Sequence, residues 1–188
     1  MKRKVIAIFI AVIIGFSSFA GTSDTETKKL SRTERKELRE KEAEANAAVM
    51  KEILESRNWV LEADRLRDRY GNSGFVDAGI NFVSLSGDNA VIQLGVTDEM
   101  GLNGVGGITL EGKVSKYEVK QGRKASSGIT MILSVSGSAV GHATINFSVN
   151  PNGNASATVS TVDGGRLTWE GKIVSSAGSR TFKGTTTH

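Results

Sequence analysis

Side chains able to do covalent chemistry are sparse in this chain. There are two histidines, His142 and His188, and no cysteine. Neither histidine sits in a metal-ligand pair of the H-E-x-x-H kind. Without cysteine there is no thiolate nucleophile, no disulfide and no thiolate metal site. No serine has the G-x-S-x-G setting and no S-x-x-K occurs, so the common serine-hydrolase arrangements are absent. Glu62, Asp64, Asp98, Glu99, Glu111 and Glu170 offer carboxyls, and a glycosidase needs two of them across a sugar. Their spacing selects no pair. Trp59, Trp169, Tyr70, Tyr117 and a few phenylalanines are too few for a base- or sugar-stacking surface, and both tryptophans read as core. No metal, cofactor or catalytic constellation is expected.

One local run stands apart: Gly101-Leu102-Asn103-Gly104-Val105-Gly106-Gly107-Ile108-Thr109. A phosphate-binding loop needs Lys-Ser/Thr and then a helix. Here the glycines lead into a strand, so nucleotide binding is not expected. Glycines at this density permit positive φ and close backbone approach. One reading is a tight, irregular approach to the strand. The other is a loop whose bare amides face a ligand or partner, with Asn103 as polar handle. The candidate residues are Gly101, Asn103, Gly104, Gly106, Gly107 and Thr109.

The elements that would carry these residues follow from periodicity. Ser31 and Glu34 form a capping-box signature, and good helix formers without Gly or Pro continue to about Arg57. Arg32 to Glu44 is nearly all charge, with opposite signs three or four apart. Val49, Met50, Ile53 and Leu54 make an apolar stripe. The second half of the helix should therefore dock, while the first projects or meets a protein partner. From Asn58 the period becomes two. Trp59, Leu61 and Ala63 open the series; Ala90, Ile92, Leu94 and Val96 follow, and then Ile108, Leu110 and Val114. Ile129 to Val135, Ala143 to Val149, Ala155 to Val159, and Leu167, Trp169 and Ile173 complete it. Turn signals separate the runs, among them Ser86-Gly87-Asp88-Asn89, Asn150-Pro151-Asn152-Gly153 and Asp163-Gly164-Gly165. A change of phase between Val114 and Tyr117 predicts a bulge near Ser115. His142 falls out of phase with Ala143, Ile145 and Phe147. The fold class is mainly β (α+β): an N-terminal helix, then about eight antiparallel strands forming a curled sheet, a lipocalin-like barrel or a sandwich.

The first residues carry a different message. Lys2, Arg3 and Lys4 precede an apolar run, Val5 to Ile14, and Ser18 and Ala20 are small side chains before a cut between Ala20 and Gly21. This pattern predicts a cleaved export signal. The run is too short to span a bilayer, which takes about 20 apolar residues, so no membrane span is expected in the mature chain. No cysteine is available for lipid attachment. The organisation read from sequence is a signal at 1–20, a flexible leader at 21–30, the helix at 31–57 and the β domain at 58–188. The 24 basic and 20 acidic residues become 21 and 20 once Lys2, Arg3 and Lys4 are removed. The basic balance thus belongs to the signal and argues against nucleic acid as a partner.

Gly101 to Thr109 with Gly112 following resembles the hallmark of an exported family of gut Bacteroidetes, catalogued as domain of unknown function 4251. Asn81-Phe82 before Ser-Gly-Asp-Asn, Ala90-Val91-Ile92-Gln93-Leu94, and Trp59-Val60-Leu61-Glu62-Ala63 fit the same family. The resemblance covers roughly Met50 to Lys183. It implies an envelope location and a β-rich domain behind an N-terminal helix, and it supplies no catalytic residues. Some members look like lipoproteins; this chain, lacking cysteine, departs from them. The function expected is a non-enzymatic periplasmic or secreted binding or interaction module. A closed barrel would hold a small apolar ligand. The alternatives are an envelope hydrolase with a carboxylate-based site, and a structural envelope protein assembling through Arg32 to Glu44.

Overall fold

The computed structural model describes residues 31–95, 103–124, 126–137, 141–162 and 164–187. The expected signal with its Ala20–Gly21 cut, the leader, Val96, Asp98, Glu99, Gly101, Asp163 and His188 lie outside the described residues. Helix α1 runs Arg32–Glu55. Its capping box is complete: the Ser31 hydroxyl accepts from Glu34 N at 3.2 Å, and Ser31 N donates to the Glu34 carboxylate at 2.7 Å. Those two bonds satisfy amides that the first turn leaves without helical partners. The backbone bond from Ser31 is the main cause that holds the Glu34 carboxyl below its ordinary range. The helix ends two residues earlier than its composition suggests. Ser56 caps it, and Arg57 turns into the left-handed region at φ 55° to launch the first strand.

Nine strands form one antiparallel sheet among the described residues: β1 Asn58–Asp68, β2 Ser73–Phe75, β3 Phe82–Ser86, β4 Asn89–Leu94, β5 Ile108–Gln121, β6 Ile129–Gly137, β7 Gly141–Val149, β8 Asn154–Thr161 and β9 Arg166–Ser175. From β3 to β9 each strand pairs with the next in sequence, as short connections favour. β1 pairs with β3 through Asn58–Glu62 and with the short β2 through Arg65–Arg67. Its other edge pairs with β9, from Trp59 opposite Ser175 to Asp68 opposite Leu167. That last pairing closes an eight-stranded barrel and rules out the sandwich.

Closure requires local irregularity at the seam. The β1–β9 register shifts between Ala63 and Arg65, so Asp64 is an inserted residue. Opposite it, Gly171 lies so near β1 that an added Cβ would stand 1.9 Å from the Glu62 carbonyl oxygen. Only glycine permits that approach. The bulge predicted from phase is also present: the β5–β6 register shifts between Val114 and Lys116, leaving Ser115 as the extra residue.

The alternating residues named from sequence point inward wherever they fall among the described residues. The half of the lumen nearest α1 is filled. Trp59 is fully buried and meets Phe147 edge-on, with ring centroids 5.2 Å apart and planes at 82°. Leu61, Val83, Leu85, Met131, Leu133 and Ile145 complete this layer. Ala47, Met50 and Leu54 of α1 are buried against it, so the helix stoppers this end. One polar chain fixes the stopper. Trp59 Nε1 donates to the Tyr117 hydroxyl at 3.1 Å, and that hydroxyl donates to the Leu54 carbonyl at 2.7 Å. Arg57 completes the junction, with its guanidinium 4.9 Å from the Tyr117 ring centroid and 2.9 Å from the Asp88 carboxylate.

Burial pushes the Tyr117 hydroxyl above its ordinary pKa, and the Trp59 bond and Arg57 only partly oppose it. The folded state therefore holds this proton more tightly than the unfolded chain. Its contribution to stability is complete below the ordinary tyrosine pKa of about 10 and falls as pH rises beyond that value. Tyr117→Phe should cost about 1–3 kcal/mol at neutral pH, because Trp59 Nε1 loses its partner and the Leu54 carbonyl keeps only the Arg57 amide. Urea unfolding at a series of pH values checks both points. The variant should show a smaller loss of stability above about pH 10 than the parent.

Candidate functional site

The end of the barrel away from α1 is built differently. Trp169 on β9 reaches across the lumen and donates through Nε1 to the Gln93 carbonyl on β4 at 3.1 Å. Its ring forms a floor. Beyond that floor an apolar cleft of about 180 Å³ opens to solvent. Ile92 and Leu94 from β4 and Ile108 and Leu110 from β5 make one wall. Val159 from β8 and Leu167 from β9 make the other. These are the same period-two positions that fill the stoppered half, but here no tryptophan–phenylalanine pair occupies the centre. Ile108 is 39% exposed, so the lip is open. Thr161, Gly165 and Arg166 complete the rim. An eight-stranded barrel has an interior that side chains can fill or one small ligand can occupy. This one is filled at one end and hollow at the other.

The glycine run lies beside this opening, outside the barrel wall. Asn103 is buried and all its polar capacity is used within the chain. Its Oδ1 accepts from Val105 N at 3.1 Å and Gly107 N at 2.9 Å. Its Nδ2 donates to the Leu94 carbonyl at 3.2 Å and the Thr109 hydroxyl at 3.1 Å. Gly104 and Gly106 adopt φ values of 76° and 78°, which the bend requires. A Cβ on Gly107 would lie 2.1 Å from the Leu94 carbonyl oxygen. Two of the amides that sequence offers to a ligand thus face the Asn103 side chain.

A second amide side chain, which periodicity alone marks as an outward strand residue, proves equally committed. Gln93 is fully buried. Its Nε2 donates to the carbonyls of Ile80 at 3.0 Å and Phe182 at 2.8 Å. Its Oε1 accepts from the Thr109 hydroxyl at 2.9 Å and Gly184 N at 2.8 Å. Residues after the short 3-10 turn Ser176–Gly178 form a strap across the outside of β1, β3, β4 and β5. Glu62 accepts from Ser179 Oγ at 2.7 Å and Arg180 N at 3.2 Å. Thr185 N donates to the Asn103 carbonyl and Thr187 N to the Thr109 carbonyl, each at 2.9 Å. Glu111 pairs with Lys183 and Thr186. The sequence carries a signal for this strap only in retrospect: Gln93 interrupts an otherwise apolar stretch, Val91 to Leu94.

The remaining reactive candidates are dispersed. Glu62 and Glu111 hold the strap. Asp64 is the exposed bulge residue. Glu170 pairs with Arg67, with Arg65 at 3.9 Å. Asp64 and Glu170 share a polar depression of about 450 Å³ on the outer wall, whereas among the described residues no carboxylate lines the apolar cleft. His142 is exposed on β7, its Nδ1 3.1 Å from Ser136 Oγ. Among the described residues no cluster of acidic and histidine side chains could hold a metal ion, and no helix is long and apolar enough to cross a membrane. Along α1, every residue from Arg32 to Glu42 is exposed.

Asn103→Ala should cost the fold about 3 kcal/mol, since it strands the Val105 and Gly107 amides and takes a donor from the Leu94 carbonyl and the Thr109 hydroxyl in a buried corner. Urea unfolding should show a lowered midpoint with an unchanged slope. An unchanged midpoint would mean that the loop does not depend on this side chain.

Comparison with known proteins places the chain. No curated protein matches it. A solved structure is similar: the crystal structure of a DUF4251 family protein from Bacteroides eggerthii DSM 20697. It has 25% sequence identity and a TM-score of 0.58, over 73% of this chain and 90% of that one. The family model described as domain of unknown function (DUF4251) matches residues 41–173. This interval takes in the docked half of α1 and nearly the whole barrel, and the chain belongs to the DUF4251 family.

Proposed function

We propose that this protein is a non-enzymatic binding module of the bacterial envelope, exported by its N-terminal signal, which holds a small apolar group in the open end of its barrel. The observation that carries the reading is the asymmetric lumen: helix-stoppered and packed at one end, apolar and open at the other. Filling the second half with side chains would bury more surface and stabilise the barrel further. A hollow kept open to solvent and lined from opposite walls is the form that small-molecule sites take. The volume of about 180 Å³ slightly exceeds the roughly 150 Å³ that accommodates benzene in an apolar cavity, so the group is small. The export reading rests on Lys2 to Lys4, the apolar run Val5 to Ile14, and the small residues Ser18 and Ala20.

The two tryptophans provide an internal test. Trp169 floors the cleft, whereas Trp59 lies in the packed half. Titration with 1-octanol, followed by the two indole N–H resonances, should move the Trp169 signal saturably and leave Trp59 nearly still. No movement of Trp169, or equal movement of both, would refute binding in the open end. Native mass spectrometry of protein purified from its own host should then show a co-purifying small molecule.

The exposed first half of α1 favours a second activity for the same module, assembly through Arg32 to Glu44. Deleting residues 30–44 should then lower the oligomeric state measured by light scattering. An unchanged mass relative to the chain length would remove this reading.

A further inference from the structure

Among the described residues that line the open end, Arg166 alone carries a charge. It begins β9, is exposed, and has no ion pair or side-chain hydrogen bond among the described residues. The other arginines toward this end are engaged. Arg67 pairs with Glu170, Arg65 lies 4.8 Å from the Phe75 ring centroid, and Arg69 lies 4.7 Å from that of Tyr70. The floor offers an entering molecule no donor, because the Trp169 indole N–H is already bonded to the Gln93 carbonyl. Thr161 Oγ1 at the rim donates to the Gly165 carbonyl at 3.3 Å. Among the described residues, the cleft therefore has an apolar interior and one uncommitted cation at its lip.

We infer that the natural occupant is a small carboxylic acid whose apolar end, about six to eight carbons, enters the cleft while its carboxylate stays at the lip beside Arg166. This rests on the open end being the binding site proposed above. A carboxylate matches the planar donor fork of a guanidinium. An ammonium at the same position would be repelled, and a neutral alcohol would gain apolar burial alone. The reverse orientation would bury the carboxylate among apolar side chains without a donor, which is strongly unfavourable. Because Arg166 is exposed, its effect is modest and screened by salt.

The test follows the Trp169 indole N–H during titration with 1-octanol, octanoate and octylammonium at neutral pH and low ionic strength. Octanoate should bind more tightly than octylammonium. The octanoate-to-octanol affinity ratio should fall about three- to fivefold in Arg166→Gln. It should recover in Arg166→Lys, and it should shrink in the parent at high salt. If octanol binds but the ratio is the same in Arg166→Gln as in the parent, the carboxylate inference is overturned and the binding site stands. If neither octanol nor octanoate moves the signal, the site and the inference fall together.

Discussion

Pairing of β1 with β9 is the constraint on which the rest of the molecule depends. An open antiparallel sheet of this length would expose two unpaired edges and one broad apolar face. Joining Trp59–Asp68 to Leu167–Ser175 removes both edges and converts the apolar face into an enclosed lumen. The joint needs two irregularities, the inserted Asp64 and the bare backbone of Gly171 against the Glu62 carbonyl. The inner positions of both strands, from Trp59 to Leu66 and from Leu167 to Ile173, then line the lumen. Trp59 consequently faces Phe147, and Trp169 faces the Gln93 carbonyl.

Once the barrel is closed, its two ends are finished by different means. Near the start of β1 the chain supplies its own plug, because α1 leads directly into the strand through Arg57. Ala47, Met50 and Leu54 reach the lumen, and the Trp59–Tyr117–Leu54 chain of hydrogen bonds fixes their depth. At the far end no element crosses the opening among the described residues. The polar investment there is made outside the wall, where Gln93 and Asn103 each make four hydrogen bonds and Glu62 and Glu111 grip the C-terminal strap. A buried amide with every donor and acceptor satisfied fixes geometry rather than offering chemistry. The glycine run thus has a physical explanation as scaffold: it lets backbone pass within contact of Leu94 and the strap while Asn103 ties the bend.

This division of labour bears on function. The strap and the glycine run stiffen β4 and β5, and those strands supply Ile92, Leu94, Ile108 and Leu110 to the cleft. A cleft held open by networks outside the wall can stay apolar within. Glu62 and Glu111 are used as outer-wall anchors, and Glu170 is paired with arginine.

Much of this was local and therefore legible in the sequence. Two-residue alternation determined which side chains face inward, because a strand's pleat allows no other assignment once one face is buried. A single change of phase located the Ser115 bulge, and Ser31 with Glu34 located the start of α1. His142 faces outward, as its phase required. Tertiary structure decided what depends on residues distant in the chain. Barrel against sandwich turned on β1 meeting β9, partners from 99 to 116 residues apart whose own alternation suits either fold. The burial of Gln93 turned on a tail some ninety residues later, which the periodicity of β4 cannot register. The open cleft turned on how far Trp169 and Trp59 extend into a shared lumen. Periodicity assigns a residue to a face, but the space left between opposing faces exists only after closure.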